Sequence, residues 1–283
     1  MQEKIELNRI RTFGEIIEDS IEFFKQNWRP LLRSYFTICG FFWVLSLLTA
    51  ILNQVQAAQR LAIGESQFGF MYFLSIVLGL VSGIVIVLAV LSFMALYKEK
   101  GNEAPSTEEV WSYVKYFFFR VFGSYLALIV CLGAGLLCCI IPFFYLTVVF
   151  SIIFPIMIME NSTFGYAFSR SFQLIKKRWW QVLGVIIVSE IIIMVAMMAV
   201  GIPVTLVALG AKFLTNVNGT SVYTYATIIF GHLLQVLYPL PLIAVTLSYF
   251  SLTEEKDEGA LYQRIMNIGN HDTGTNDNLT EEY

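Results

Sequence analysis

The sequence predicts an all-α integral membrane protein with six transmembrane helices. Interfacial amphipathic helices lie on its cytoplasmic side, and the whole is built from parallel helix-plus-hairpin repeats. Three observations lead there. The 283 residues are 57% hydrophobic and 14% charged, against about 45–50% and about 25% in a soluble domain. The apolar residues fall into runs that meet or approach the roughly 20 residues a helix needs to cross hydrocarbon. The cations gather between alternate runs. The same composition disfavours a disulfide scaffold and a disordered chain, and a net charge of −3 disfavours a nucleic-acid surface.

The runs cover residues 31–52, 70–97, 121–141, 143–159, 180–202 and 223–252. The third and fourth read as a tight hairpin, because Pro142 leaves almost no loop between them. Pro203 should end or kink the fifth run, since proline lacks the helical donor and clashes with the preceding turn. The apolar stretch 204–214 is then too short to cross alone and reads as re-entrant or interfacial. Residues 1–252 form one six-span domain, and 253–283 a cytoplasmic tail with a short amphipathic helix (Leu261, Ile265, Ile268) before a polar, disordered end.

Charge placement sets the orientation. Of the 18 Lys and Arg residues, only Arg60 and Lys212 fall on the outer side of this layout. By the positive-inside rule both termini are cytoplasmic. The first thirty residues are charged and patterned, unlike a secretory signal. The four cysteines (Cys39, Cys131, Cys138 and Cys139) lie inside the runs without metal-ligand spacing and read as small hydrophobes. The sequons at Asn161 and Asn278 face the cytoplasm, and that at Asn218 faces outward.

An internal repeat organises the chain. Residues 12–32 align without gaps to 163–183, with identities at Thr12/Thr163, Phe13/Phe164, Gly14/Gly165, Ser20/Ser171, Lys25/Lys176 and Trp28/Trp179. Each copy has a capping threonine, an amphipathic helix, a basic-aromatic junction and a span. Residues 106–120 form a looser third copy. The units are approximately 10–97, 104–159 and 160–252, all in one orientation. The amphipathic helices form a collar, either packed under the bundle or offered to a protein partner. Asp19 and Arg170 occupy equivalent positions with opposite charge and are expected to pair.

The second copy carries Pro155-Ile-Met-Ile-Met-Glu160, Ala167-Phe-Ser-Arg170-Ser171-Phe172 and Arg178-Trp179-Trp180. With Phe13-Gly14-Glu15 and Lys25-Gln-Asn-Trp28, it resembles the bacterial membrane domain of glycerophosphodiester phosphodiesterases. The likeness is to its stand-alone form without the catalytic domain. The motif positions are Pro155, Glu160, Arg170 and Ser171. The resemblance implies a bacterial inner-membrane address but no activity.

Catalytic signatures are missing: no phosphate-binding Gly-Lys-Ser/Thr loop, no zinc helix and no nucleophile elbow. No enzyme, cofactor or metal is expected. Two ionisable residues lie deep in the runs, Glu190 and His232. Each is nine or ten residues from a run's end, roughly 13–15 Å at 1.5 Å per residue, so their depths nearly coincide. A charged carboxylate there costs about 2.5–3.5 kcal/mol, and His232, Gln235 and Ser189 are its candidate partners. Glu190 is then either hydrogen-bonding glue between helices or part of a functional polar site.

Small residues recur at four-residue spacing. Gly79 and Gly83 do so in the second run, and Gly123, Ala127, Cys131 and Gly135 in the third. Such rows let backbones approach closely in lipid, either within the bundle, with the third run central, or between copies. Pro239 and Pro241 loosen the inner half of the last run. The first functional reading is a non-enzymatic inner-membrane module that binds a cytoplasmic partner or organises the membrane. The alternative is a transporter or lipid- or amphiphile-handling protein with a polar site at Glu190 and His232. The partners foreseen are the lipid bilayer, a protein on the cytoplasmic face or a second copy, and no nucleic acid.

Overall fold

A computed structural model describes residues 4–138, 140–214 and 219–271. Six of its helical segments are long and apolar enough to cross a membrane, one for each run, and no strand occurs among the described residues. The helices are α1 (Phe13–Ala62), α2 (Phe70–Glu99), α3 (Thr107–Cys138), α4 (Ile140–Ser151), α5 (Ile153–Met159), α6 (Phe164–Ile175), α7 (Trp179–Leu214), α8 (Gly219–Leu234) and α9 (Pro239–His271). Large apolar side chains such as Phe41, Phe73, Val77, Val130 and Met194 are exposed, as a hydrocarbon-facing belt requires.

The inner half of α2 is the centre of the bundle. From Ile84 to Tyr97 every residue but Val87 is buried, and a helix apolar all round belongs in a core. α1, α3, α5 and α9 pack against it. The third run packs against the second, as its small residues suggested, but the second rather than the third is the centre of the bundle. Gly79, Gly83 and Gly123 are exposed, with open space where a Cβ would stand. Ala127 and Cys131 are only half-buried. Gly135 alone sits at a close approach, its Cβ position 3.2 Å from Leu146 in the α3–α4 hairpin. The hairpin itself is as tight as foreseen, and Pro142 is tolerated in the first turn of α4, where its missing N–H has no intrahelical partner to lose. The fourth run bends near Ile152, where Pro155 removes a helical bond.

The first collar helix is not a separate element. A capping box starts α1, with the Thr12 N–H donating to Glu15 Oε2 at 2.7 Å. The helix then runs 50 residues through Pro30, about 75 Å at the helical rise. One lost bond does not stop it, because the buried face (Ile16, Phe23, Asn27, Leu31, Tyr35) is continuous across the proline. Ser106 and Glu109 box the start of α3 in the same way. Thr163 occupies the N-cap of α6 but makes no capping bond, since Tyr166 stands where Thr12 has Glu15.

Two further expectations give way. α7 continues through Pro203 to Leu214, so 204–214 is not a separate re-entrant segment; a membrane helix can run across a proline at the loss of one backbone bond. The tail helix is the unbroken end of α9, which passes the expected boundary at 252 and reaches His271. Cys139, the sequon asparagines Asn218 and Asn278 and the polar end from 272 lie outside the described residues, as do the side chains of Cys138, Ile265 and Ile268.

One end of the bundle, the basic face, is tied by polar contacts. Arg11 is the main staple. Its side chain is 1% exposed and its Nε lies 2.7 Å from Asp19 Oδ2. Its guanidinium also donates to the carbonyls of Leu7, Arg9 and Glu6. Its backbone N–H donates to Ser251 on α9, and its carbonyl accepts from Gln181 on α7. Asp19 is thereby engaged within its own segment, and the expected Asp19–Arg170 pair does not form. Arg170 lies 3.8 Å from Glu160 instead.

Removing one partner of a buried ion pair strands the other. Arg11→Met should cost about 3 kcal/mol of stability, read as a lowered melting temperature in detergent. Asp19→Asn, at the more exposed end, should cost about 1 kcal/mol. Adding Arg170→Asp to Asp19→Arg should restore nothing.

Candidate functional site

The polar residues foreseen in the membrane do not converge. Ser189 is buried and donates to the Val185 carbonyl of its own helix at 2.7 Å. The neighbouring Glu190 is exposed, on a stripe with Ile187, Ile191, Met194 and Met198. It makes no hydrogen bond or ion pair among the described residues. His232 turns to α1 rather than α7. Its Nδ1 is 2.9 Å from the Ile228 carbonyl, which only accepts, so the proton sits there. Nε2 then faces the Ser46 hydroxyl at 3.4 Å.

Backbone chemistry explains that choice. The last run breaks into a short 3-10 turn at Gln235–Leu237 before Pro239. Pro239 and Pro241 withhold the donors that the carbonyls of Gln235 and Leu237 would meet in a helix. Tyr35 of α1 donates its hydroxyl to the Gln235 carbonyl at 3.1 Å. Trp43 donates its indole N–H to the His232 carbonyl at 2.9 Å. The Gln235 amide oxygen is buried without a partner among the described residues. This cluster holds a broken helix against α1.

The motif positions do meet one another, at the basic face. Glu160 follows α5, and its Oε1 accepts from the Tyr249 hydroxyl of α9 at 2.9 Å, with Arg170 alongside. The same carboxylate raises the Tyr166 hydroxyl above its ordinary pKa, by a hydrogen bond and by its charge. Pro155 and Ser171 are buried, and Ser171 donates to the Phe168 carbonyl at 2.8 Å. The Arg178–Glu255 pair joins the start of α7 to α9. These contacts latch α5, α6 and α9 together and line no cavity described here.

An open groove lies between α1 and α3. Its outer compartment, about 520 Å³, is bounded by Arg29, Pro30, Arg33, Pro105, Ser106, Thr107 and Glu108. The next, about 460 Å³, shares Thr107 and Glu108 and adds Thr37, Ile38, Phe41, Phe42 and Trp111. The innermost, about 410 Å³, shares Phe42 and Trp111 and adds Val85 of α2 with Val114, Lys115, Phe118 and Phe119. The groove thus passes from a charged mouth to a mainly apolar inner end that Lys115 also lines. Arg33 and Phe42 are nine residues apart, about 14 Å along the helix, or one leaflet of a core about 30 Å thick.

The charges at its mouth are uncommitted. Arg29 lies over the Trp28 ring at 5.2 Å, and neither it nor Arg33 has a carboxylate partner among the described residues. Lys115 lies over the Trp111 ring at 5.7 Å. Ser34 and Thr107 bridge α1 and α3 through their hydroxyls at 3.2 Å. No cluster of three metal-ligating side chains occurs among the described residues.

Sequence reasoning missed the groove, although its signal is periodic. Arg29, Arg33, Thr37 and Phe41 follow one another every four residues, and Thr107, Trp111, Val114 and Phe118 share a face of α3. No family model, curated protein or solved structure matches the chain.

The placement of Glu190 has a measurable result. Glu190→Leu removes a lipid-facing carboxyl costing about 2.5–3.5 kcal/mol and unpairs no described neighbour. It should keep or raise the melting temperature in nanodiscs. Trp43→Phe strips the His232 carbonyl of its donor and should cost about 0.6 kcal/mol. A marked loss on Glu190→Leu would mean that the carboxyl is paired in the folded bundle.

Proposed function

We propose that the chain is a non-catalytic protein of the bacterial inner membrane, with cytoplasmic termini, that takes one lipid-like amphiphile from the bilayer into the α1–α3 groove. The observation that carries this reading is the groove's gradient. Arg29, Arg33 and Glu108 bound the outer compartment, and mainly aromatic and aliphatic side chains, with Lys115 among them, continue from it to about one leaflet's depth. A ligand pocket is expected to be mostly apolar with a few placed polar groups, and an amphiphile has the matching polarity.

The geometry favours this over a collar that docks a protein. Much of the apolar face of the first and second amphipathic segments is covered, at Ile16 and Phe23 on α1 and Ala167 and Ile175 on α6, while Phe13 and Trp28 remain exposed. It also moves the lipid-handling site away from Glu190 and His232. We read the repeat as three parallel units in which the amphipathic helix braces the next span. The likeness to the phosphodiesterase membrane domain fits that reading, because Glu160 and Arg170 act as part of a latch.

The protein purified in mild detergent should retain lipid detectable by native mass spectrometry. Thr37 is exposed and lines the groove, so Thr37→Trp fills the channel without disturbing the core. That variant should keep its circular dichroism and lose most of the retained lipid. Equal retention by the two proteins would overturn the proposal.

A further inference from the structure

We infer that the groove selects a zwitterionic phospholipid with a primary ammonium in its headgroup, of the phosphoethanolamine type, from the leaflet on the basic face. This rests on the groove reading and deepens it. The mouth contains three charged side chains, Arg29, Arg33 and Glu108, all bounding the same 520 Å³ compartment. Opposite charges that share a compartment ordinarily pair, yet no ion pair joins Glu108 to either arginine among the described residues. The space between them therefore holds both signs of charge, each without its counter-charge.

A zwitterionic headgroup supplies both. Arg29 and Arg33 stand one helical turn apart, about 6 Å along α1, and guanidinium forks match phosphate oxygens in pairs. The Glu108 carboxylate, across the mouth on α3, accepts from an ammonium that carries three N–H donors. A glycerol headgroup leaves Glu108 without a cation and close to added negative charge. A choline headgroup is cationic but has no N–H to donate. Both tails then follow the mainly apolar wall past Ile38 and Phe42 toward Val85, with Lys115 alongside. Trp28, beneath the Arg29 guanidinium, is the kind of side chain that sits at a membrane–water boundary.

The test is competition among phosphatidylethanolamine, phosphatidylglycerol and phosphatidylcholine for the full chain, read by native mass spectrometry. The ethanolamine lipid should exceed each of the others by about fivefold, as one partly exposed ion pair gives. Glu108→Gln should bring ethanolamine and choline lipids level while leaving choline lipid retention unchanged. The double variant Arg29→Gln/Arg33→Gln should weaken all three lipids. Preference for the glycerol lipid, or no change on Glu108→Gln, overturns the inference. Thr37→Trp separates the two readings. If it empties the protein while wild type holds the three lipids equally, the headgroup inference fails alone, and if it changes nothing, the groove itself fails.

Discussion

Hydrocarbon offers no hydrogen bonds, and the architecture of this bundle follows from that constraint. Every polar group within a span must find its partner in the protein. Most hydroxyls comply by folding back on their own helices, although Ser82 and Ser92 in α2 are buried without a partner among the described residues. Thr49, Ser124, Ser189, Thr246 and Ser248 each donate to a carbonyl one turn earlier. The broken last run is held by α1: Tyr35 donates to the Gln235 carbonyl, which Pro239 leaves without its helical donor, and Trp43 donates to the His232 carbonyl. These bonds help fix where α1 stands relative to α8 and the 3-10 turn. At the basic face Arg11 joins α1 to α9 and α7 through Asp19, Ser251 and Gln181. α1 is therefore bound at two depths, and α2 is enclosed beside it.

Glu190 stands outside this system. It has the chemistry of a functional site and the surroundings of a lipid-facing residue. The depth argument that paired it with His232 treated two helices as if they faced each other, and depth does not fix rotation about a helix axis. The backbone carbonyl and the ring of His232 both meet α1, at Trp43 and Ser46, so His232 is turned away from α7.

The fold class was legible because it depends on run length and on where cations fall, and both survive errors of a few residues. The six spans, the capping box at Thr12 and the tight turn before Pro142 all follow from local rules. What was not legible depends on which helix faces meet. The glycine rows marked surfaces able to pack closely, but α2 uses its other faces. Pro203 looked like a break because a proline costs one bond, yet the continuity of the surrounding helix outweighs it, as it does at Pro30 in α1. Asp19 and Arg170 are opposite in charge at equivalent positions, but Asp19 pairs with Arg11 of its own segment and Arg170 stands beside Glu160. The groove was written in two four-residue stripes, and only the tertiary placement of α3 beside α1 joins them into one surface.

The unbroken length of α1 has a mechanical consequence. One wall of the groove, from Arg29 to Phe42, belongs to a rod clamped at Asp19 below and at Tyr35 and Trp43 within and above it. Bending that wall outward would break hydrogen bonds that lipid cannot replace. The opposite wall, α3, is joined to it across the mouth by the Ser34–Thr107 hydroxyl contact. α1 is thus the fixed wall of the groove, and the Ser34–Thr107 contact ties α3 to it at the mouth.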